Sequence, residues 1–284
     1  MTLSEALHQA AEDLASHDIA DARLEAEILL AHLLKIERTG LYVNSTRKLP
    51  DNQALAYSEL VRRRLNHEPT AYITGHKEFF GLDFQVNPTT LIPRPDTELL
   101  VEKAIELAKT FPLPCLIADV GTGCGAIAIA LATHLPGARI YATDISAAAL
   151  EVARNNCQRY NLEDRITLLQ GNLLEPLPTP VHLIVANLPY IRESELAEIM
   201  PEISKFEPRL ALSGGEDGLQ IIKKLISQVP VKLIAGGTVL LEIGYDQGTE
   251  VSSIVNQYLP GARVSIMPDL SGVERVAIIL TTES

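Results

Sequence analysis

The chain has 284 residues, is 46% apolar and carries a formal net charge of −12. Its length and apolar content allow one large or two ordinary domains around a sizeable core and exclude global disorder. The acidity argues against a protein that grips duplex nucleic acid through its phosphates, which calls for a basic surface.

Cys115, Cys124 and Cys157 are an odd count without metal-ligand spacing, so free thiols in a reducing cytoplasm and no bound metal are expected. The N-terminus lacks the basic and apolar regions of a signal peptide. No apolar run reaches the roughly 18 residues of a membrane span. A cytoplasmic protein with no membrane partner is the expectation.

Residues 1–75 read as a small all-helical bundle. Leu3, Ala6, Leu7, Ala10, Ala11 and Leu14 recur at helical spacing, and 22–34 repeats the pattern through Ile28, Leu29, Leu33 and Leu34. The stretch 52–65 predicts a third helix, with Leu55, Leu60 and Val61 inside and Arg62-Arg63-Arg64 outside as a solvated, dipole-compensating end.

Residues 76–92 change character. Phe79-Phe80-Gly81-Leu82-Asp83-Phe84-Gln85-Val86 turns to apolar–polar alternation, Asn87-Pro88 signals a turn, and Leu91-Ile92 resumes the apolar pattern. This predicts a linking β-hairpin. Pro93-Arg94-Pro95-Asp96-Thr97-Glu98 then leads into a helix over 99–108, whose acidic first turn suits its N-terminus.

From residue 116 strands alternate with helices, the pattern of a parallel sheet. Strands are expected at 116–120, 139–144, 166–170, 181–186 and 238–243, with helices at 126–135, 147–160 and 219–228. The last two strands, 263–267 and 274–280, lie too close in sequence for a crossover helix and should pair antiparallel. The fold class is therefore α/β. A Rossmann-like, mostly parallel sheet with an antiparallel C-terminal strand occupies 93–284, behind a helical N-terminal domain at 1–75 and the hairpin at 76–92.

Asp119-Val120-Gly121-Thr122-Gly123-Cys124-Gly125 sits between a strand and a helix. Its glycines permit a tight turn and close approach of a ligand to the backbone. Asp144 ends the next strand, where a carboxylate can accept both hydroxyls of a nucleoside ribose. A nicotinamide dinucleotide is formally allowed by Gly121, Gly123 and Ala126; a P-loop is not. The additional Gly125 and the antiparallel ending lean towards S-adenosylmethionine, with Asp119 helping to hold its amino-acid end directly or through water. Asn172 and Leu173, at the exit of the following strand, would hydrogen-bond and pack on the adenine.

The apolar run 181–185 ends in Ala186-Asn187-Leu188-Pro189-Tyr190. In open α/β sheets ligands bind at the carboxyl ends of the strands. Proline stops the ladder there. Asn187 offers a carboxamide at the sheet edge, and Tyr190 an aromatic wall.

Together the loop 119–125, Asp144 and Asn187-Leu188-Pro189-Tyr190 resemble class I S-adenosylmethionine-dependent methyltransferases that act on planar nitrogen. Two further stretches, Leu91-Ile92-Pro93-Arg94-Pro95-Asp96-Thr97-Glu98 and Glu207-Pro208-Arg209-Leu210-Ala211-Leu212-Ser213-Gly214-Gly215-Glu216-Asp217-Gly218-Leu219, narrow the resemblance. With the helical N-terminal domain, the whole chain resembles the PrmC/HemK family of release factor glutamine methyltransferases. One residue departs from the family pattern: Leu188 stands where proline is usual.

The resemblance implies that the substrate is the glutamine of the Gly-Gly-Gln motif of class I peptide chain release factors. It implies that the Asn187 side-chain oxygen and the Leu188 carbonyl accept the two amide hydrogens, while Pro189 and Tyr190 wall the amide plane. A main-chain carbonyl does not need proline's ring, so Leu188 should preserve the acceptor.

The N-terminal helices would supply a second contact with the release factor, and the chain is expected to act as a monomer. The segment 191–218 is long for a loop and is expected to line the entrance for the substrate; the plainer reading is a surface excursion with a short helix near 193–200. The alternative activity is methylation of exocyclic amino groups on adenine or cytosine in nucleic acid, which shares the Asn-x-Pro-Tyr logic but requires base flipping and basic surfaces.

Overall fold

The structure, a computed structural model, describes residues 1–282. Five helices come first: α1 (Leu3–Ala15), α2 (Ala22–Leu34), α3 (Arg38–Val43), α4 (Asp51–Leu65) and α5 (Thr70–Thr74). Strands β1 (His76–Phe79) and β2 (Leu82–Gln85) follow, then α6 (Thr97–Ala108). The alternating part runs β3 (Cys115–Val120), α7 (Ala126–His134), β4 (Ala138–Asp144), α8 (Ala147–Arg159), β5 (Ile166–Gln170) and β6 (Val181–Asn187). After α9 (Pro201–Phe206) and a 3₁₀ turn at Arg209–Ala211 come α10 (Gln220–Lys232), β7 (Leu233–Glu242), α11 (Gly248–Tyr258), β8 (Arg263–Pro268) and β9 (Glu274–Leu280).

Two compact units emerge. The first is Met1–His76 with Met200–Phe206. Thr2 opens α1 through a capping box: the Glu5 amide donates to Thr2 Oγ1 and the Thr2 amide to Glu5 Oε2. Leu3, Leu7, Ala10 and Leu14 then bury one stripe against Leu29 and Leu30 of α2.

Three expectations for this unit are corrected. The helices number five among the described residues, because α3 and α5 are too short to show a period. Leu55 is exposed. Arg64 is buried, since its guanidinium meets Glu25 at 3.3 Å and Glu202, in the outlying segment, at 3.1 Å. A paired arginine can be buried where a lone one cannot.

The second unit comprises Lys77–Ile199 and Glu207 onward. The β1–β2 hairpin turns through Phe80 (φ 52°) and Gly81 (φ 72°), two successive positive-φ residues as tight hairpins require. Pairing ends at Gln85, so residues 86–92 form no strand, contrary to expectation. There the Thr90 amide turns back to the Asn87 carbonyl, and Pro88 has no N–H to give a ladder. The buried Asn156 on α8 ties the hairpin down: its Oδ1 accepts from the Gln85 amide, and its Nδ2 donates to the carbonyls of Gln85 and Cys124.

The main sheet has strand order β5-β4-β3-β6-β7-β9-β8. β5 through β7 are mutually parallel, and β9 runs antiparallel to both β7 and β8. The expected α/β class with an antiparallel C-terminal strand is what is observed. β3 and β6 are all but wholly apolar because both sheet faces are covered. After β3 the chain winds out to β4 and β5, then returns across to β6, so a topological switch point lies between β3 and β6. Their register pairs Val120 with Ala186. The loop beginning at Gly121 and the strand end at Asn187 therefore leave the sheet side by side, where α/β sheets bind ligands.

Candidate active site

A cavity of about 420 Å³ opens at this switch point, within the usual size range for cofactor sites. Gly121, Gly123, Asp144, Asn172, Leu173, Asn187, Leu188 and Pro189 all line it. Residues from four loops separated by tens of positions thus share one wall.

Gly121 (φ 74°) forms the floor. A β-carbon there would lie 3.1 Å from Leu188 Cδ2 and 3.8 Å from the Asn187 carbonyl oxygen. Asp144 is held by backbone donors, Gly123 N to Oδ2 and Ser146 N to Oδ1, both at 2.9 Å. Burial raises its pKa against those hydrogen bonds. Each carboxylate oxygen keeps a second lone pair for a hydroxyl. Asn172 donates through Nδ2 to Glu175 at 2.6 Å, and Leu173 takes a positive φ of 55° at the cavity wall.

Five expected site residues stand outside that wall. Asp119 is wholly buried beneath the loop: its Oδ2 accepts from Thr122 Oγ1 at 2.5 Å and from the Ala128 amide in the first turn of α7. These donors hold Oδ2 towards the helix end, where it braces the loop, and leave Oδ1 without a hydrogen-bond partner among the described residues. Burial pushes its pKa up to about 7.

Thr122 is spent on the same brace. Cys124 is buried, with its thiol pushed up to about 12 by desolvation. Gly125 (φ 85°) starts α7, and a β-carbon there would press on Ala153 and Ile129 at 3.3 Å. Tyr190 turns away because its hydroxyl bonds Glu242 Oε1 at 3.3 Å. Its ring packs into the core instead of walling the cavity.

Asn187 is half-buried. Its Nδ2 donates to Thr97 Oγ1 at 2.9 Å, and Thr97 Oγ1 donates to Glu242 Oε2 at 2.6 Å. The carboxamide oxygen is thereby left on the opposite edge of the group. Sequence reading assigned no part to Thr97 or Glu242. A glutamate inside the apolar run Val239-Leu240-Leu241-Glu242-Ile243 was the available signal.

Two further walls complete the cavity, the first from a segment given no part in the site and the second from the insertion at 191–218 that was expected to line the substrate's entrance. Pro88, Thr89, Thr90 and Leu91 come from the segment after the hairpin, and Pro208, Leu210 and Ala211 from the long insertion. Glu207 fastens these walls: its carboxylate pairs with Arg94 and accepts from the Ile92 amide at 3.2 Å. The insertion's helix lies at Pro201–Phe206, not near 193–200.

The site's residues fit a nucleoside cofactor carrying an amino acid. A floor that only glycine permits lies beside a carboxylate at a strand end. Two buried oxygens near that floor, Asp119 Oδ1 and Thr143 Oγ1, have no hydrogen-bond partner among the described residues. Such groups are costly unless something else satisfies them.

Comparison with known proteins agrees with this architecture. Residues 5–75 match the PrmC N-terminal domain, and residues 96–216 the methyltransferase small domain. The chain is 42% identical to the release factor glutamine methyltransferase of Moorella thermoacetica over 97% of both chains. It is 39% identical to the one of Koribacter versatilis over 98% of both. A solved methyltransferase from Pyrococcus furiosus, 21% identical, shares the fold at a TM-score of 0.54, covering 79% of this chain and 99% of that one. Identity of this extent across the full length, on a methyltransferase fold, shows that the chain belongs to the release factor glutamine methyltransferase family.

Proposed function

We propose that the protein uses S-adenosylmethionine to methylate the side-chain amide nitrogen of the glutamine in the Gly-Gly-Gln motif of class I peptide chain release factors. The observation that carries this reading is the Asn187 carboxamide: its NH₂ is tied back to Thr97, and the group stands in the cavity wall beside Leu188, Pro189 and Gly121.

When bound, S-adenosylmethionine supplies a methyl group on a sulfonium. Asp144 would hold the ribose, Gly121 and Gly123 would let the cofactor lie against the backbone, and Asn172 and Leu173 would flank the base. The unpartnered oxygens of Asp119 and Thr143 would be satisfied from the amino-acid end, through water in the case of Asp119.

An amide nitrogen is a poor nucleophile because its lone pair is delocalised into the carbonyl. Asn187 Oδ1 and the Leu188 carbonyl would each accept one N–H of the substrate amide and fix the direction of the nitrogen. Positive charge on that nitrogen grows during transfer, so both acceptors bind the transition state more tightly than the ground state. Fixing the reactants adds a proximity contribution that reaches ~7–11 kcal/mol in favourable systems. Pro189 would cover one side of the amide. The apolar Leu91 and Leu188 in the cavity wall would help to keep water from competing for it.

The test is mass spectrometry of purified release factor incubated with the protein and S-adenosylmethionine. One methyl group on the motif glutamine is expected. Methyl transfer to unmodified DNA in place of the release factor would overturn the reading.

A further inference from the structure

We infer that Thr97 and Glu242 are positioning residues: their hydrogen-bond chain fixes which edge of the Asn187 carboxamide faces the cavity. This rests on the proposed role of Asn187 and deepens it.

Glu242 accepts from Thr97 at one carboxyl oxygen and from Tyr190 at the other. A hydroxyl has one hydrogen. Having given it to Glu242, Thr97 Oγ1 can only accept from Asn187. It must therefore meet the NH₂ edge of that side chain, at 2.9 Å. The oxygen edge is the one left to receive a substrate N–H.

Without the chain, either edge of the carboxamide could turn outward, and an outward NH₂ would oppose the substrate's own NH₂. Thr97 and Glu242 are 4% and 2% exposed, so water does not compete for these bonds. The geometry is built by the fold. Asn187 and Glu242 are direct neighbours in the β6–β7 register, and Thr97 is the first residue of α6. Arg275 on β9 and Asp96 ahead of α6 are the other charges that act on Glu242. Burial raises its pKa, and the Thr97 hydrogen bond and the Arg275 charge oppose that rise.

The test is a pair of double-mutant cycles, Thr97→Val with Asn187→Ala and Glu242→Gln with Asn187→Ala. Each variant is followed by turnover on release factor and by calorimetric affinity for S-adenosylmethionine. Each single change should lower turnover at least tenfold and leave cofactor affinity within about threefold. Thr97→Ser, which keeps the hydroxyl, should restore most of the turnover. In the Asn187→Ala background, Thr97→Val and Glu242→Gln should cost little more, because the group they orient is gone.

Additive losses, or wild-type turnover in Thr97→Val and Glu242→Gln alongside a crippled Asn187→Ala, would overturn the positioning role and leave that of Asn187 standing. Wild-type turnover in Asn187→Ala would instead remove the underlying reading. Should one of the two variants not fold, the other cycle and Thr97→Ser decide the matter.

Discussion

Leu188 Cδ2 lies 3.1 Å from the place a β-carbon on Gly121 would occupy, so the residue that departs from the family pattern packs directly on the first glycine of the loop after β3. Gly121 also holds φ at 74°, a conformation that costs a side-chain-bearing residue about 1–2 kcal/mol. Gly121→Ala must therefore pay backbone strain and displace Leu188 from a buried position. We expect a fall in melting temperature of several degrees and at least a tenfold loss of S-adenosylmethionine affinity. Differential scanning fluorimetry and calorimetry would read both, and unchanged affinity would contradict the placement of the cofactor against this turn.

Asn187 and Leu188 are proposed to act through different atoms, and truncation separates them. Asn187→Ala removes the side-chain acceptor. Turnover should drop by about 10²–10³, the range seen for loss of one oxyanion-type contact, with cofactor affinity nearly intact. Leu188→Ala keeps the main-chain carbonyl but empties a buried site that is 4% exposed. Its cost should appear as about 2–4 kcal/mol of stability in denaturant unfolding. Turnover per folded molecule should fall less than tenfold. A larger loss in Leu188→Ala than in Asn187→Ala would reverse the assignment.

The sheet was readable from sequence because its strands, buried on both faces, are apolar runs whose exits are marked by Gly121, Asn172 and Asn187. The direction of side chains at those exits was not. Asp119 and Tyr190 sit at the expected ends of β3 and β6, but donors elsewhere turn them inward: Thr122 and Ala128 for the first, Glu242 for the second. Arg64 was read as solvated because one of its partners, Glu202, is 138 residues away. The helix α11 was missed because Val251 and Val255 are its only large buried apolar residues, too few to show a period. Thr97 is ordinary in its local context and Glu242 is marked only by the apolar run around it; both meet Asn187 only through the β6–β7 register and the start of α6.

Glu207 joins the segments that form two walls of the cavity, those carrying Leu91 and Leu210. Its carboxylate is buried, while Arg94 is about a third exposed. Burial raises the Glu207 pKa, and Arg94 opposes the rise. Glu207→Ala frees both segments and leaves the Ile92 amide without its acceptor. The expected result is weaker S-adenosylmethionine binding, by roughly five- to thirtyfold for about 1–2 kcal/mol lost, within the ~1–3 kcal/mol cost of leaving a buried donor unsatisfied. Protection of the Ile92 amide against hydrogen exchange should fall in parallel. Preserved affinity with lost protection would show that the two walls do not need the clasp.

Asp119 predicts a pH dependence of stability in the cofactor-free protein. Burial lifts its pKa from an ordinary 3.8 to about 7 in the folded chain, with the Asp144 charge adding to the rise and Thr122 and Ala128 opposing it. The folded state then binds the proton more tightly than the unfolded state. Its contribution is fully present below pH 4 and is lost as pH rises through 7. The total is on the order of 4 kcal/mol. Asp119→Asn keeps an acceptor for Thr122 and Ala128 and cannot ionise. Unfolding free energies measured from pH 4.5 to 8 should therefore decline more steeply in the wild type than in Asp119→Asn, and the difference between the two curves isolates this carboxyl from all others. Parallel curves would mean that Asp119 is ionised in the folded protein throughout that range, satisfied by something other than the loop it braces.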